Sequence, residues 1–187
     1  MTMRIITTGE SLSFAQLINK TMVYVDKTKP ICEMASTYAQ YLLTRPRRMG
    51  KSTLVDTLEY LYSKGTVGTE GLYCHEHWPE PNRYFVFHFD WSKCVPSSVE
   101  QFEHKVGLYL NEYASYFGIT IPQKESVAYR FECLIESCLT KLKDEAFLAA
   151  HPELKEGDRP FCSDSVVLLI DEYDAPLSSI AFHKYIH

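Results

Sequence analysis

The chain has 187 residues, of which 45% are hydrophobic, and a formal net charge of -5. This length predicts one domain, or one domain with a short appendage, and the hydrophobic content is enough for a sizeable core. The acidic balance gives no general reason to expect nucleic-acid binding. Since no apolar run approaches membrane-spanning length and the amino terminus lacks a signal pattern, we expect a soluble, cytoplasmic protein without membrane contact.

The predicted elements alternate between helix and strand, which favours an α/β fold. The first part of the chain predicts a helix at residues 14–22, an extended step at 23–25, a helix starting at Thr28, a strand at 38–44 and a helix from Lys51 to Gly65, followed by a loop at 65–83. The second part predicts a strand at 84–90, amphipathic helices at 102–117 and 131–142, a polar loop at 152–164 and a strand at 166–170. We expect the apolar stripes of the two amphipathic helices to be core.

The turn that precedes the predicted helix at Lys51 has the residues of a phosphate-binding loop. Gly50, Lys51 and Ser52 supply a backbone that can turn, an ammonium group for the outer phosphates and a hydroxyl for Mg²⁺. Arg45 stands where the usual pattern has its first glycine. Arg45, Arg47, Arg48 and Lys51 place four positive charges in one short loop. This density of charge is more typical of a site for a polyanionic ligand than of a solvated surface turn. The residues predicted to contact the nucleotide are Arg45, Pro46, Arg47, Arg48, Met49, Gly50, Lys51, Ser52 and Thr53.

Two carboxylates, Asp171 and Glu172, close the apolar run at residues 166–170. A run of Val, Leu and Ile without alternation is typical of a parallel strand buried on both faces, and open α/β sheets bind ligands at the carboxyl ends of such strands. We predict that Asp171 holds Mg²⁺ and that Glu172 orients and deprotonates water. Each motif alone is common, but both together, in this order, predict nucleotide binding.

The six cysteines show neither a CxxC pair nor the spacing of a disulfide framework, so we expect them to be reduced. The segment Cys74-His75-Glu76-His77 lacks the histidine spacing of a helical zinc site and a second ligand pair. We therefore do not predict a metal site there.

Three motifs together resemble the AAA-ATPase-like proteins of bacteria, in which a P-loop domain usually precedes a nuclease-like domain of the PD-(D/E)XK type. They are YVDKT at residues 24–28, RPRRMGKS at 45–52, where the family has Phe in place of Met49, and DEYDAPL at 171–177. The resemblance spans nearly the whole chain. It also accounts for Arg45, because the family itself carries arginine at that position.

The resemblance implies a P-loop NTPase three-layer fold with a mostly parallel sheet, ATP and Mg²⁺ as ligands, and ATP hydrolysis in the complete family protein. It implies that Lys51 and Ser52 contact phosphate and Mg²⁺, that Asp171 is the metal carboxylate and that Glu172 is the general base. Residues 1–37 then form a segment that leads into the core, and residues 38–187 form the core. Nucleic acid enters as a partner only by analogy with the nuclease-like domain.

Sixteen residues follow Asp171 (187 minus 171), whereas the family continues with a sensor strand and a lid region. We therefore expect a core that is incomplete at its carboxyl terminus, with a gap in the sheet between the strands at 38–44 and 166–170. Such a gap favours self-association or a partner chain that completes the sheet. The alternative to an ATPase is a non-catalytic interaction or regulatory module that keeps the motifs without turnover.

Overall fold

The computed structural model describes residues 13–19, 24–37, 40–44 and 49–186. Within these ranges the chain is α/β, with helices and a two-stranded sheet. The helices are α1 (Phe14–Ile18), α2 (Thr28–Thr37), α3 (Lys51–Lys64), α4 (Tyr73–His77), α5 (Val99–Tyr116), α6 (Val127–Lys141), α7 (Glu145–Ala150) and α8 (Ala175–Ile186), and the strands are β1 (Arg83–Asp90) and β2 (Phe161–Asp171). A short 3-10 helix covers Pro152–Lys155.

The chain divides into two compact units. The first consists of Met1–Val86 and Glu153–Cys162, and the second of Phe87–Pro152 and Ser163–His187. In the first unit α1 packs on α3 and α2 packs on α4. Its buried apolar side chains include Phe14, Ile31, Cys32, Leu58, Leu61, Cys74 and Trp78.

The second unit has its core between α5, α6 and the aromatic residues of β1. The Phe87 ring meets the Tyr113 ring edge to face, with 4.7 Å between the centroids. The apolar stripes of the two amphipathic helices are buried, as predicted, through Leu110, Phe117, Leu134, Cys138 and Leu142. These side chains therefore have a packing role in the core, as expected from the sequence.

The two strands are hydrogen-bonded neighbours. The backbone N–H of Arg83 donates to the carbonyl of Pro160 (2.8 Å), and at the other end the N–H of Trp91 donates to the carbonyl of Asp171 (3.1 Å). Both pairs run in the same direction along the chain, so the strands are parallel, and α5, α6 and α7 lie in the crossover that a parallel pair requires.

Several predicted elements differ from the observed ones. Helix α1 ends at Ile18, earlier than the predicted residue 22, and Tyr24 and Val25 do not lie in a strand. In the predicted strand at 38–44, the described residues, 40–44, are irregular, because the sheet contains β1 and β2 and offers this segment no ladder partner. The predicted loop at 65–83 contains α4, and β2 begins inside the predicted loop at 152–164.

The prediction that the strand before Asp171 is buried on both faces is wrong. Leu169 is 8% exposed, but its neighbours Leu168 and Ile170 are 44% and 46% exposed. Side chains alternate between the faces of a strand, so one face of β2 is covered and the other is open. No helix in the described ranges has the length and apolar character needed to cross a membrane.

Candidate functional site

The amino end of α3 carries the features of an anion site. Gly50 precedes the helix in the left-handed conformation (φ 76°, ψ 29°), which an L side chain adopts only with strain, and its carbonyl accepts the N–H of Leu54 at 3.0 Å. No side chain caps the helix, and its first turn contains no acidic residue. The first backbone N–H groups of a helix have no partner within the helix, and this end of the helix dipole is positive. An anion fits both properties.

Other helices of the chain begin differently. Helices α5, α6 and α7 start after Ser98, Ser126 and Asp144, whose side chains accept backbone N–H groups of the first turn. Such a cap uses N–H groups that would otherwise face solvent or a ligand. The glycine before α3 has no side chain that could form such a cap.

The structure describes part of the predicted phosphate loop. Met49 is 57% exposed, Ser52 is exposed, and Lys51 and Thr53 are half-buried on the first turn of α3. The carbonyl of Thr53 accepts the hydroxyl of Thr57 at 2.7 Å. The remaining predicted contacts, Arg45, Pro46, Arg47 and Arg48, lie outside the described residues.

A cavity of about 440 Å³ adjoins this end of α3. Gly50 and Thr53 contribute to its wall from the phosphate loop, and Leu54 and Thr57 contribute from the next turn of the helix. The rest of the described lining comes from α1, α2 and the segment before α2, through Leu17, Tyr24, Val25, Asp26, Lys27, Pro30 and Ile31. The volume lies in the range of small-molecule sites.

The YVDKT segment is held in place by its aspartate and its threonine. Asp26 Oδ1 accepts the N–H and the hydroxyl of Thr28, at 2.8 and 2.7 Å, and Asp26 Oδ2 accepts the N–H of Tyr73 at 2.7 Å. The hydroxyl oxygen of Thr28 in turn accepts the N–H of Cys74 at 3.0 Å. These bonds connect the start of α2 to the start of α4, so residues 24–27, which precede α2, form an anchored wall of the cavity.

Behind this wall lies an aromatic cluster. The buried ring of Phe14 contacts Tyr24 and Tyr60 edge to face, with centroids 5.8 and 5.3 Å away, and its backbone N–H donates to the carboxylate of Asp56 on α3. Burial raises the pKa of Tyr24 above its usual value. The cluster packs α1 and the YVDKT segment against the helix that begins at the phosphate loop.

The predicted carboxylates belong to the second unit. Asp171 is the last residue of β2, is 6% exposed, and accepts the N–H of Glu172 on Oδ1 at 2.9 Å. Its carbonyl accepts the N–H of Trp91, the first residue after β1. The backbone of Asp171 is therefore held by its own strand and by the residue that follows the neighbouring one, at the carboxyl end of the strand, where α/β folds bind ligands.

Glu172 has the one positive φ among the described non-glycine residues, at 51°. Its carbonyl accepts the N–H of Ala175, which starts α8, at 3.0 Å. A left-handed glutamate costs about 1 kcal/mol or more and is retained where the surrounding structure requires it, often at a functional site. The strained turn directs the chain from β2 into α8 directly after Asp171.

The predicted site residues thus fall into two sets. In the first unit, Gly50 and Thr53 share a cavity wall with the YVDKT segment, and in the second unit Asp171 and Glu172 are adjacent at the end of β2. The sequence did not predict the cavity or its lining by Leu17, Pro30 and Ile31. The YVDKT motif was the available signal, but the resemblance gave no mechanism for Asp26, for which a helix-cap or strand-end carboxylate was the expected role.

Asp90, the last residue of β1, has a structural role in the turn that follows the strand. Its carboxylate accepts the N–H and the hydroxyl of Ser92 at 2.8 and 3.0 Å, which forms the turn after the strand. In the described ranges, no group of three or more His, Cys, Asp or Glu side chains forms a metal cluster. All six cysteines are free thiols in the structure.

Comparisons with known proteins identify relatives. The sequence model of the family described as Predicted AAA-ATPase matches residues 11–187. A protein described as "Uncharacterized protein in vnfD 5'region", from Azotobacter chroococcum mcd 1, is 33% identical over 156 residues, which cover 82% of this chain. The chain spans about a quarter (26%) of the length of that curated relative. No solved structure is significantly similar to the chain.

Proposed function

Because the chain belongs to the AAA-ATPase-like family, we propose that it binds ATP together with Mg²⁺. The observation that carries the proposal is the uncapped amino end of α3, where a left-handed Gly50 precedes a first turn without acidic residues and a cavity of about 440 Å³ adjoins the helix. We assign this activity to a P-loop NTPase core over residues 38–187, with residues 1–37 leading into it.

The phosphate chain is proposed to lie at the start of α3. The backbone N–H groups of Lys51, Ser52 and Thr53 donate to phosphate oxygens in this proposal, and the Lys51 ammonium neutralises the outer phosphates. Arg45, Arg47 and Arg48 add positive charge in the same loop. Charge-assisted hydrogen bonds of this kind are stronger than neutral ones, so Lys51 is the residue whose loss should weaken binding most clearly.

The residues present fit Mg²⁺. Ser52 offers an exposed hydroxyl and Asp171 a buried carboxylate at a strand end. Magnesium prefers hard oxygen ligands and is usually held by one or two carboxylates together with substrate phosphates, so a cluster of protein ligands is not required. In this proposal Ser52 and Asp171 hold the ion, which supplies charge neutralisation to the phosphates when bound.

Hydrolysis is proposed to use Glu172 as the base that orients water and removes its proton. Glu172 lies directly after Asp171, in a turn with a positive φ. Asp171 and Glu172 therefore have separate roles, one in holding the metal and the other in activating water. A chain that binds ATP without turnover would instead support the interaction or regulatory module.

Binding is tested by titration calorimetry with ATP and Mg²⁺ on the wild type and on Lys51→Ala. We expect the substitution to reduce the binding free energy by about 1.5–3 kcal/mol, the scale of a hydrogen bond to a charged group. Lys124→Ala is the matched control, because Lys124 is an exposed lysine in the second unit. Equal affinity in the wild type and Lys51→Ala would reject the phosphate-loop assignment.

Turnover is tested by phosphate release from ATP in Glu172→Gln and Asp171→Ala. If the wild type hydrolyses ATP, Glu172→Gln should abolish turnover and bind ATP nearly as tightly as the wild type. Asp171→Ala should also weaken binding of ATP with Mg²⁺. Full turnover in Glu172→Gln would exclude its role as general base.

A further inference from the structure

We propose that the cavity beside α3 binds the base and sugar of the nucleotide, and that residues 24–27 of the YVDKT segment form the wall against which the base packs. The inference rests on the proposed phosphate site at the start of α3. It assigns a ligand-binding role to a segment that lies outside the phosphate loop and far from the carboxylates in sequence.

The first step is the continuity between the cavity and the phosphate loop. Gly50 and Thr53, which flank the first backbone N–H groups of α3, also line the cavity. A phosphate chain seated on those N–H groups therefore ends beside the cavity mouth. The group attached to that chain in a nucleotide is the nucleoside, and the cavity is the described space that receives it.

The second step is the chemistry of the wall. Leu17, Val25, Pro30, Ile31 and Leu54 line the cavity with apolar side chains, and Tyr24 adds an aromatic ring. A nucleobase has two apolar faces and a polar edge, and a mostly apolar cavity with few polar groups suits such a ligand. The polar residues of the lining are Asp26, Lys27, Thr53 and Thr57, beside the hydroxyl of Tyr24.

The third step is that the wall is formed before a ligand arrives. Asp26 accepts three hydrogen bonds from Thr28 and Tyr73, which use both of its carboxylate oxygens. The ring of Phe14 packs edge to face against the ring of Tyr24. Ordering a binding segment in advance lowers the free-energy cost of binding. We therefore assign Asp26 to positioning the wall rather than to contact with the nucleotide.

The test compares the binding of ATP with that of inorganic tripolyphosphate, which has the phosphates but no base or sugar. The comparison separates the contribution of the nucleoside to affinity from that of the phosphates. Val25 is 68% exposed although it lines the cavity, so Val25→Trp should fold normally while its ring occupies the space of the base. We expect Val25→Trp to weaken ATP binding at least tenfold and to leave tripolyphosphate binding unchanged. Val67→Trp is the matched control, since Val67 is 46% exposed in the same unit and lies outside the cavity lining.

The possible outcomes distinguish the two proposals. Unchanged ATP affinity in Val25→Trp, with Lys51→Ala still weakening both ligands, would overturn the base cavity and leave the phosphate site intact. Equal weakening of ATP and tripolyphosphate by Val25→Trp would also overturn it, because the wall would then act on the phosphates. If Lys51→Ala affects neither ligand, the phosphate site itself is wrong, and the base cavity that depends on it is rejected too.

Discussion

Asp26 shows how one carboxylate positions the wall of the candidate site. Burial alone would raise the pKa of Asp26, but the hydrogen bonds from Thr28 and from the backbone N–H of Tyr73 outweigh this effect, and the pKa lies below its usual 3.8. A carboxyl group with a lowered pKa in the folded state stabilises the fold above its unfolded pKa. This stabilisation is lost as the pH falls through the folded value.

We predict that Asp26→Asn lowers the free energy of unfolding at neutral pH by about 1 kcal/mol, the usual scale for losing a capping side chain. Asparagine keeps one acceptor oxygen and loses the other. The difference from the wild type should be full above about pH 4 and should shrink as the pH falls further. Urea denaturation at pH 6 and pH 3 measures it, and a difference that is constant between these pH values would contradict the role of the charge.

Glu172 joins backbone strain to a proposed chemical role at one residue. Its φ of 51° is unfavourable for any residue with a side chain and is readily adopted by glycine. A protein selected for stability alone would place glycine or asparagine at this turn. A glutamate at this turn is explained if its carboxylate is needed for the proposed turnover.

Glycine and alanine at position 172 separate the two effects. Both substitutions remove the carboxylate, so both should abolish any ATP turnover, but only glycine relieves the backbone strain. We expect Glu172→Gly to be more stable than Glu172→Ala by about 1 kcal/mol. Thermal melting compares the two variants, and equal stability would show that position 172 does not carry the strain inferred from its φ.

At the scale of elements, Arg83 fixes the loop that leads into β2. Its buried guanidinium donates to the carbonyl oxygens of Ser63, Leu154, Lys155, Glu156 and Arg159, at 2.7–3.2 Å. A Cβ at Gly157 would overlap the Arg83 side chain, so the loop requires glycine there. One side chain therefore joins the end of α3 to the segment before β2.

We predict that Arg83→Ala lowers the free energy of unfolding by about 3 kcal/mol or more, because five carbonyl groups lose the hydrogen bonds that this buried side chain donates. The control is Lys64→Ala, which removes a partly exposed ion pair with Glu156 on the same loop (2.8 Å) and should cost about 1 kcal/mol or less. Urea denaturation of the wild type and of both variants measures the two losses of unfolding free energy. A cost for Arg83→Ala as small as that of Lys64→Ala would contradict the role of the guanidinium.

The elements that were predictable from sequence carry their own local signals. Helices α3, α5 and α6 have apolar residues at helical spacing, and β1 is a run of aromatic and β-branched residues. Helix α4 was not predicted because only five residues form it and remote side chains stabilise it. Its first N–H groups donate to Asp26 and Thr28, which are 47 and 46 residues away.

The errors in the sheet have a different physical cause. A strand requires a neighbour and a covered face, and neither property is encoded in the segment itself. Residues 40–44 are apolar in part, yet Leu42 is 71% exposed and the segment has no strand partner in the described chain. The run before Asp171 does form β2, but its second face stays open at Leu168 and Ile170.

At the scale of the whole molecule, the open face of β2 favours association with another chain. Leu168 and Ile170 place exposed apolar side chains next to each other on one face of a two-stranded sheet. Exposed apolar strands favour pairing with another chain.

We predict that the chain self-associates as its concentration rises and that Leu168→Lys reduces this association. Leu168 is 44% exposed, so the substitution should change the free energy of unfolding little. Leu108→Lys is the matched control, because Leu108 is 48% exposed on α5. Light scattering coupled to size-exclusion chromatography measures the mass, and a wild type that is monomeric at every concentration would contradict the prediction.

The central claim is that the nucleotide binds at the amino end of α3, and backbone amide NMR shifts during titration with ATP and Mg²⁺ test it most directly. We expect saturable shifts that are largest at Gly50, Lys51, Ser52 and Thr53, because their N–H groups donate to phosphate in the proposal. Saturable shifts confined to the second unit, or no shifts at millimolar ATP, would contradict the account.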